Sequence, residues 1–411
     1  MAHERDVVLA FSGGLDTSFC VPWLRERDYR VTTLFVDTGG TDDEERNAIE
    51  ARAHELGVHQ HITQDASDEL WDSFVIPFVM GGERYQQQYP LLCSDRYVIA
   101  KRMVELAREM GTPFVAHGCT AAGNDQFRFD QSLRSLGDVN ILAPIREIQS
   151  ETTSLRSYEE AWLRERGFGV RTQYRKYTIN ENILGTTVSG SEIDAFAAPS
   201  HDTWRMVRPR AEWPAKELEV KITFEEGVAV ALNDERMRGP QLLQALNTLC
   251  GKYGIGRGIY TGDTTIGLKG RIVFEAPGLT ALLAAHRALE EITLTKHQNA
   301  FKPVVARRWT ELVYEGFFYE PLRHDLEAMI TSTQDHVTGT VTLASEGASV
   351  NAVAVQSDHM LHDREASYAQ GARWSGEEAV GFIRLYGQSS RMAADRERRN
   401  ASAPAGSVQH A

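Results

Sequence analysis

No uninterrupted apolar stretch in the 411 residues approaches the roughly 20 needed to cross a bilayer, which argues against a membrane-spanning helix. The start, Met1-Ala2-His3-Glu4-Arg5-Asp6, lacks the basic-then-apolar layout of a secretory leader, so a cytoplasmic location is expected. Cysteine is scarce. The four present (Cys20, Cys93, Cys119, Cys250) are far apart and form no Cys-x-x-Cys pair, which disfavours a structural zinc site or a redox dithiol. Nor do His54, His59, His61 and His117 show metal-ligand spacing, so no protein-held metal is assigned. A surplus of positive charge is also missing. With 44 basic and 57 acidic residues the net charge is −13, which works against binding to nucleic-acid backbones. There is no internal repeat.

What is present is an alternation of strand and helix patterns in the first half. Val7-Val8-Leu9-Ala10-Phe11 is a continuous apolar run suited to a strand buried on both faces. A Gly-rich turn, a helix over about 18–27 and a second strand over 31–36 follow. Thr41-Asp42-Asp43-Glu44 has the form of a capping box opening a helix through Leu56. A helix over 95–110 leads into the strand Phe114-Val115-Ala116, and Ile141-Leu142 suggests one more. This order implies a parallel sheet wrapped by helices. Beyond about residue 170 the pattern becomes α+β. Residues 218–224 and 228–232 suggest an antiparallel pair turning at Glu226-Gly227. Helices are expected near 240–251, 278–292 and 297–318, and strands over 337–344 and 349–356. The expected division is 1–168, 169–372, a helix within 373–390 covering Glu377 to Tyr386, and a disordered tail over 391–411.

The most informative segment is Phe11-Ser12-Gly13-Gly14-Leu15-Asp16-Thr17-Ser18, between the first strand and first helix. Gly13 and Gly14 let the backbone turn tightly, so that N–H groups and the positive helix end face an anion. Ser12, Thr17 and Ser18 add hydroxyls. Asp16 is out of place beside a phosphate unless a magnesium ion bridges the two or it caps the helix. No Gly-Lys-Ser/Thr follows, so this is not a Walker loop. The plain alternative is a Gly-Gly turn with Asp16 as a cap.

The second segment, His117-Gly118-Cys119-Thr120-Ala121-Ala122-Gly123-Asn124-Asp125-Gln126-Phe127-Arg128-Phe129, follows a strand and so belongs on the carboxyl edge of the sheet. Asp125 suits an ammonium group and Arg128 a carboxylate, as a zwitterionic amino acid requires. An internal Asp–Arg ion pair in a polar loop is the competing reading.

The first string resembles the pyrophosphate loop of the N-type ATP pyrophosphatases. The second resembles the His-Gly-x-Thr-x-x-Gly-Asn-Asp-Gln-x-Arg-Phe signature of the argininosuccinate synthase family, and the likeness runs over roughly residues 5 to 390. It includes Tyr89, Ser94, the Asn180-Glu181-Asn182-Ile183-Leu184-Gly185 stretch and Glu311-Leu312-Val313-Tyr314-Glu315-Gly316-Phe317. The resemblance implies a Rossmann-like adenine-nucleotide domain of the HUP type, an α+β synthetase domain and a C-terminal oligomerisation helix, in a homotetramer. It implies that ATP, with Mg2+, drives ligation of citrulline to aspartate through citrullyl-AMP, giving argininosuccinate, AMP and pyrophosphate. The implied ATP site is Ala10, Phe11, Ser12, Gly13, Gly14, Leu15, Asp16, Thr17, Ser18, Val36, Gly118 and Thr120. Citrulline would meet Tyr89, Ser94, Asn124, Arg128, Thr178, Asn180, Thr187 and Ser189. Aspartate would meet Thr120, Asn124 and Asp125, and Asp16 and Asp125 would act in catalysis.

The sequence departs from the family pattern in three places. Asp37-Thr38-Gly39-Gly40 stands where Gly-Gln is common. Gly262, followed by Asp263, stands at an acidic citrulline contact, and Phe274 replaces a tyrosine. Asp263 or Tyr260 is placed to compensate. Gly254 to Gly258 reads as a turn after a helix. Gly267-Leu268-Lys269-Gly270-Arg271 reads equally as a solvated turn or as a cation supplied to the pocket. The aromatic run Tyr314, Phe317, Phe318, Tyr319 suggests core or subunit interface. Two rivals remain: another ATP pyrophosphatase acting on a modified ureido or amide substrate, and a non-catalytic nucleotide sensor on the same fold.

Overall fold

The structure, a computed structural model, describes residues 5–121, 123–170, 177–363, 371 and 373–402. They divide into two compact units, 1–360 and 361–411.

In the first unit, β1 (Asp6–Ala10), β2 (Arg30–Asp37), β3 (Gln60–Asp65), β4 (Phe114–Ala116) and β5 (Asn140–Leu142) form a parallel sheet in the order β3-β2-β1-β4-β5. Alternate residues of β1 feed two separate layers. Val8 and Ala10 join one apolar cluster with Leu34, Val36 and Val115, and Val7 and Leu9 join another with Phe19, Val31 and Ala116. Burial on both faces is why this strand is a continuous apolar run rather than an alternating one. Among the helices that flank it are α1 (Leu15–Arg25), α2 (Asp43–Glu55), α3 (Asp95–Met110), α4 (Asn124–Leu136) and α5 (Leu155–Glu165). The cap of α2 is Asp42, whose Oδ1 accepts from Glu45 N at 2.8 Å, so the expected capping box at Thr41 is displaced by one residue.

Two antiparallel sheets follow. One has the order β10-β9-β8-β13-β14, the other β11-β12-β7-β6. The strands are β6 (Thr178–Asn182), β7 (Gly185–Ser189), β8 (Glu219–Glu225), β9 (Val228–Leu232), β10 (Glu235–Arg236), β11 (Arg257–Asp263), β12 (Lys269–Glu275), β13 (Gly339–Glu346) and β14 (Ser349–Gln356). Helices α6 (Gly239–Gly251), α7 (Pro277–Thr293), α8 (Lys296–Tyr314) and α9 (Pro321–Thr331) accompany them. The α/β first part joined to an α+β part is the expected fold class, and the turn at Glu226-Gly227 has positive φ at both residues. Helix α8 stops at Tyr314 rather than 318, because Gly316 takes φ +97°.

The two parts share one apolar cluster, which runs from Val8 and Phe74 to Val220, Ile222, Trp309 and Leu343. Polar links reinforce the junction. Ile183 N donates to Thr38 O at 3.0 Å, and Asn182 Nδ2 donates to Leu92 O at 2.9 Å. Gly40 approaches Asn182 so closely that a Cβ would lie 2.8 Å from its Cα. This contact accounts for Gly39-Gly40 after β2.

The second unit holds α10 (Gly376–Tyr386) and α11 (Gln388–Ser402). A capping box opens α10: Glu378 N donates to Ser375 Oγ at 3.2 Å and Ser375 N donates to Glu378 Oε2 at 2.7 Å. Helix α11 occupies part of the stretch expected to be disordered. Its Arg, Ala and Glu content favours helix without supplying an apolar face. Residues 403–411 of that expected tail lie outside the described residues.

Candidate functional site

The strand order reverses at β1. Chain leaving β1 turns toward β2, chain leaving β4 turns toward β5, and a crevice opens between their carboxyl ends. Both sequence segments lie on that edge.

After β1, Phe11 N still donates to Leu34 O at 2.9 Å, and then the chain leaves the sheet. Gly13 takes φ +70°, and a Cβ there would stand 3.2 Å from Ile49 Cγ1, so conformation and space both require glycine. Gly14 is the N-cap of α1, and no side chain caps the helix. The donors of the first turn therefore have no intrahelical acceptor and remain available to an anion. Ser12 and Thr17 line the turn: Gly14 N lies 3.4 Å from Ser12 Oγ, and the two hydroxyls are 3.3 Å apart. Ser18 differs from expectation. It is buried, and its hydroxyl accepts from Arg52 Nε at 3.3 Å, inside the fold. Asp16 is not the cap. It occupies the second helical position and is exposed, with Glu159 and Arg156 of α5 as its charged neighbours. Ala10 and Val36 are buried at strand ends. Their side chains belong to the apolar cluster under the sheet.

The segment after β4 touches this loop. A Cβ on Gly118 would lie 3.2 Å from Thr17 Cγ2 and 3.4 Å from the Asp16 carbonyl carbon. Thr120 is half-buried on the next turn. Helix α4 opens with Asn124 and Asp125. Asp125 is held by Arg128 Nη1 at 2.8 Å and Arg96 Nε at 3.1 Å, and Arg96 also pairs with Asp95 at 2.6 Å. Burial pushes the Asp125 carboxyl up, but the two guanidinium groups outweigh it and hold the group down at about 2. Asp125 is thus ionised at neutral pH. Arg128 is 3% exposed, and its Nε and Nη2 also donate to Tyr314 O at 3.1 and 2.9 Å. The ion-pair reading of Asp125 and Arg128 is correct as geometry. It extends further than sequence showed, because Arg96 is a third member.

Around these charges lies an aromatic wall. Tyr85 stacks on Tyr314 with centroids 3.6 Å apart, and Tyr89 meets Tyr260 at 5.6 Å and Phe274 at 5.8 Å. Tyr314 therefore belongs to the site as well as to the core. Asn124 Nδ2 donates to Tyr314 OH at 3.3 Å, and Asn124 Oδ1 accepts from Thr265 N at 3.1 Å. The cross-strand pairs Asn180–Thr187 and Thr178–Ser189 put four polar residues on one face of the β6–β7 ladder. Thr187 also pairs with Phe274 of β12, behind Tyr89. Ser94 turns inward, donating to Leu91 O at 2.8 Å.

Among the described residues, cavities of two sizes flank the crevice region. One, of about 290 Å³, lies between the start of α4 and the β11–β12 turn and is lined by Gly123, Asn124, Arg146 and Thr265 among others. The larger, of about 840 Å³, opens by Gly39, Glu181, Arg205 and Lys252 and is lined by none of the residues assigned above to ATP, citrulline or aspartate. The crevice at the strand-order reversal, where the two segments meet, is the better candidate site.

Comparison with known proteins agrees with this geometry. The argininosuccinate synthase N-terminal HUP domain matches residues 6–163, and the argininosuccinate synthase C-terminal domain matches 177–393. The chain belongs to the argininosuccinate synthase family. The argininosuccinate synthase of Xanthomonas campestris pv. campestris is 58% identical over 387 residues, covering 94% of this chain and 98% of that one. That of Xanthomonas axonopodis pv. citri is 57% identical over 386 residues, with 94% of each chain covered. The Methanocaldococcus jannaschii enzyme is 36% identical over 400 residues, covering 96% of this chain and all of its own.

Against the family pattern, the departure at Gly262 now has a physical cause. A Cβ there would fall 2.4 Å from both Gln86 Oε1 and Tyr260 OH. Tyr260 OH lies 2.9 Å from Gln86 Oε1 and 2.9 Å from Asp263 O, and Gln86 Nε2 donates to Asp263 Oδ2 at 2.8 Å. Asp263 also pairs with Lys269 at 2.5 Å. Lys269 thus flanks the aromatic wall, whereas Gly267, at φ +82°, makes the solvated turn beside it. Phe274 lays its ring edge on Gly258, where a Cβ would meet Cζ at 2.1 Å. Sequence reasoning missed Gln86 and Arg96. Each acts through a partner far along the chain, and neither carries a local motif.

Proposed function

We propose that the chain ligates citrulline and aspartate in two steps at the β1–β4 crevice. The ureido oxygen of citrulline attacks the α-phosphorus of ATP, forming citrullyl-AMP and releasing pyrophosphate. The α-amine of aspartate then attacks the activated ureido carbon, and AMP leaves with the former ureido oxygen. The observation that carries this reading is the contact of Gly118 with Thr17 and Asp16, which joins an uncapped helix start to a segment bearing both charge signs.

In this reading residues 10–18, Val36, Gly118 and Thr120 hold ATP. Backbone donors at the start of α1 stabilise charge on the departing pyrophosphate. Asp125 holds the aspartate ammonium with Thr120 and Asn124. With its affinity for protons so reduced it is a weak base, so its part is orientation rather than proton abstraction. Tyr89, Ser94, Asn124, Arg128, Thr178, Asn180, Thr187 and Ser189 hold citrulline. Most of the catalytic gain comes from alignment and charge stabilisation. To a magnesium ion the loop offers one carboxyl, that of Asp16, and hydroxyls. We place it with the nucleotide, as substrate MgATP.

The protein is further proposed to be a cytoplasmic homotetramer. Supporting assembly, α10 exposes Val380, Phe382, Ile383, Leu385 and Tyr386, each at 57% or more. No helix among the described residues is long and apolar enough to cross a membrane. The deciding experiment omits substrates one at a time. AMP and pyrophosphate are expected only when citrulline is present. ATP binding without turnover in the full mixture would sink the proposal.

A further inference from the structure

His117 opens the second segment, yet the reaction described above gives it no part. It is 1% exposed, and its backbone N–H still reaches the sheet, donating to Leu142 O at 3.1 Å. Beyond it the chain turns away, and the next tie is made by its own ring: Cys119 N donates to His117 Nδ1 at 3.2 Å. On the far side of the ring, Nε2 lies 3.0 Å from Asp130 Oδ1 on α4. Arg146 holds both oxygens of that carboxylate, at 2.9 and 3.1 Å, and the ring stacks on Phe129 with centroids 5.4 Å apart.

The direction of each bond follows from its partners. A backbone N–H only donates, so Nδ1 accepts and carries no proton. The ring proton therefore sits on Nε2 and is donated to Asp130, which two guanidinium N–H groups already mark as an acceptor. A trans peptide sets its carbonyl opposite its N–H, so holding Cys119 N also fixes Gly118 O. Two residues further on, Ala121 N donates to Gln149 Oε1 at 2.7 Å. The turn from Gly118 to Thr120 thus hangs between two side-chain acceptors, and Gly118 within it lies against Thr17 and Asp16 of the first loop.

We propose that His117 is a positioning residue for the nucleotide: its Nδ1 holds the Cys119 N–H and so keeps Gly118 and Thr120 at the phosphate loop, while the bond from Nε2 to Asp130 keeps the ring from turning. With the ring removed, Cys119 N–H loses its acceptor and the turn is free to leave the loop. The proposal rests on the reading that Gly118 and Thr120 hold ATP. Citrulline serves as the internal reference, because Asn124 and Arg128 are fixed from Tyr314 and Thr265 rather than from His117.

The test follows pyrophosphate release in the full chain, with the two ring nitrogens replaced separately. His117→Asn puts an amide oxygen near the place of Nδ1, in the geometry of an Asx turn two residues on, and removes the donor to Asp130. His117→Gln puts an amide N–H near the place of Nε2 and leaves Cys119 N–H without an acceptor. Both variants lose the stacked ring, so both should melt at a lower temperature. The ATP KM should rise about tenfold in His117→Gln and stay within about threefold of wild type in His117→Asn, with the citrulline KM within about twofold in each. A histidine that only fills space would act differently. Equal ATP KM values in the two variants, or a citrulline KM that rises as far as that for ATP, would therefore overturn the proposal. If one variant does not fold, the other decides alone: a rise of about tenfold in His117→Asn, or no rise in His117→Gln, overturns it. Gly118→Ala, run in parallel, separates the two claims. An unchanged ATP KM there removes ATP from this turn. A raised one, with His117→Gln unchanged, loses only the role of His117.

Discussion

The loop at residues 12–18 offers a ligand backbone donors and hydroxyls, with a single exposed carboxyl, that of Asp16. The segment at 118–128 offers side chains that are already bonded to one another or to their neighbours. Asp125 lies between Arg96 and Arg128, Arg128 holds Tyr314 O, and Asn124 bridges Tyr314 and Thr265. The first half of the site needs only a turn that glycine permits. The second depends on groups from α3, α8 and the β11–β12 turn, all brought in by the tertiary fold. Damage to the first should therefore remove chemistry and leave stability nearly unchanged, whereas damage to the second should affect both.

The largest effect is expected at Gly13→Val, which sets a branched side chain at φ +70° against Ile49. Pyrophosphate release should fall on the order of 10²–10³-fold, since misplaced loop amides no longer meet the developing charge. Its Tm should fall as well, since a branched residue at that φ is strained by about 1–3 kcal/mol, so the contrast is tested on Ser12→Ala, which should slow pyrophosphate release with Tm nearly unchanged. Asp16→Ala should also lose pyrophosphate release without unfolding, and normal turnover in it would remove Asp16 from the site.

Next comes Asp125→Asn, which leaves two guanidinium groups without their shared counter-ion. A loss of roughly 3 kcal/mol in stability is expected, measured by urea unfolding, together with a raised KM for aspartate. The pH dependence has a fixed sign. The folded Asp125 is held at about 2, below the ordinary carboxylate value, so its stabilisation is fully present above about pH 4 and is lost as pH falls through 2. The asparagine variant should lack that acid-sensitive component.

Smaller effects are expected at the aromatic wall. Gln86→Ala and Asp263→Ala should raise the KM for citrulline by about fivefold with little change for ATP, since each removes hydrogen bonds from one edge of the pocket. An equal change for both substrates would mean that the Gln86–Tyr260–Asp263 network does not serve citrulline. Phe274→Tyr should matter least, within about twofold in citrulline KM, because the ring edge packs on Gly258.

The same contrast decides what was legible in the sequence. Strand β1 announced itself through five apolar residues in a row, and the phosphate loop through glycine spacing, because both are local. Strand β3, Gln60–Asp65, is polar and lies at the edge of its sheet, so no apolar period marked it. The β11-β12-β7-β6 sheet escaped for a similar reason. Gly254 and Gly256 do form a turn, at φ +76° and +91°, but β11 begins directly after it at Arg257. Gly262 showed as a departure from the family pattern, yet its cause, Gln86, lies 176 positions upstream. Residues that work through a neighbour's neighbour leave no sequence pattern of their own.

The central claim, that a substrate oxygen is adenylylated, is tested most directly with citrulline carrying ¹⁸O in its ureido group. After turnover with ATP and aspartate, the label should appear in the phosphoryl group of AMP, one atom per argininosuccinate formed. Label recovered in water or inorganic phosphate, with none in AMP, would contradict the account.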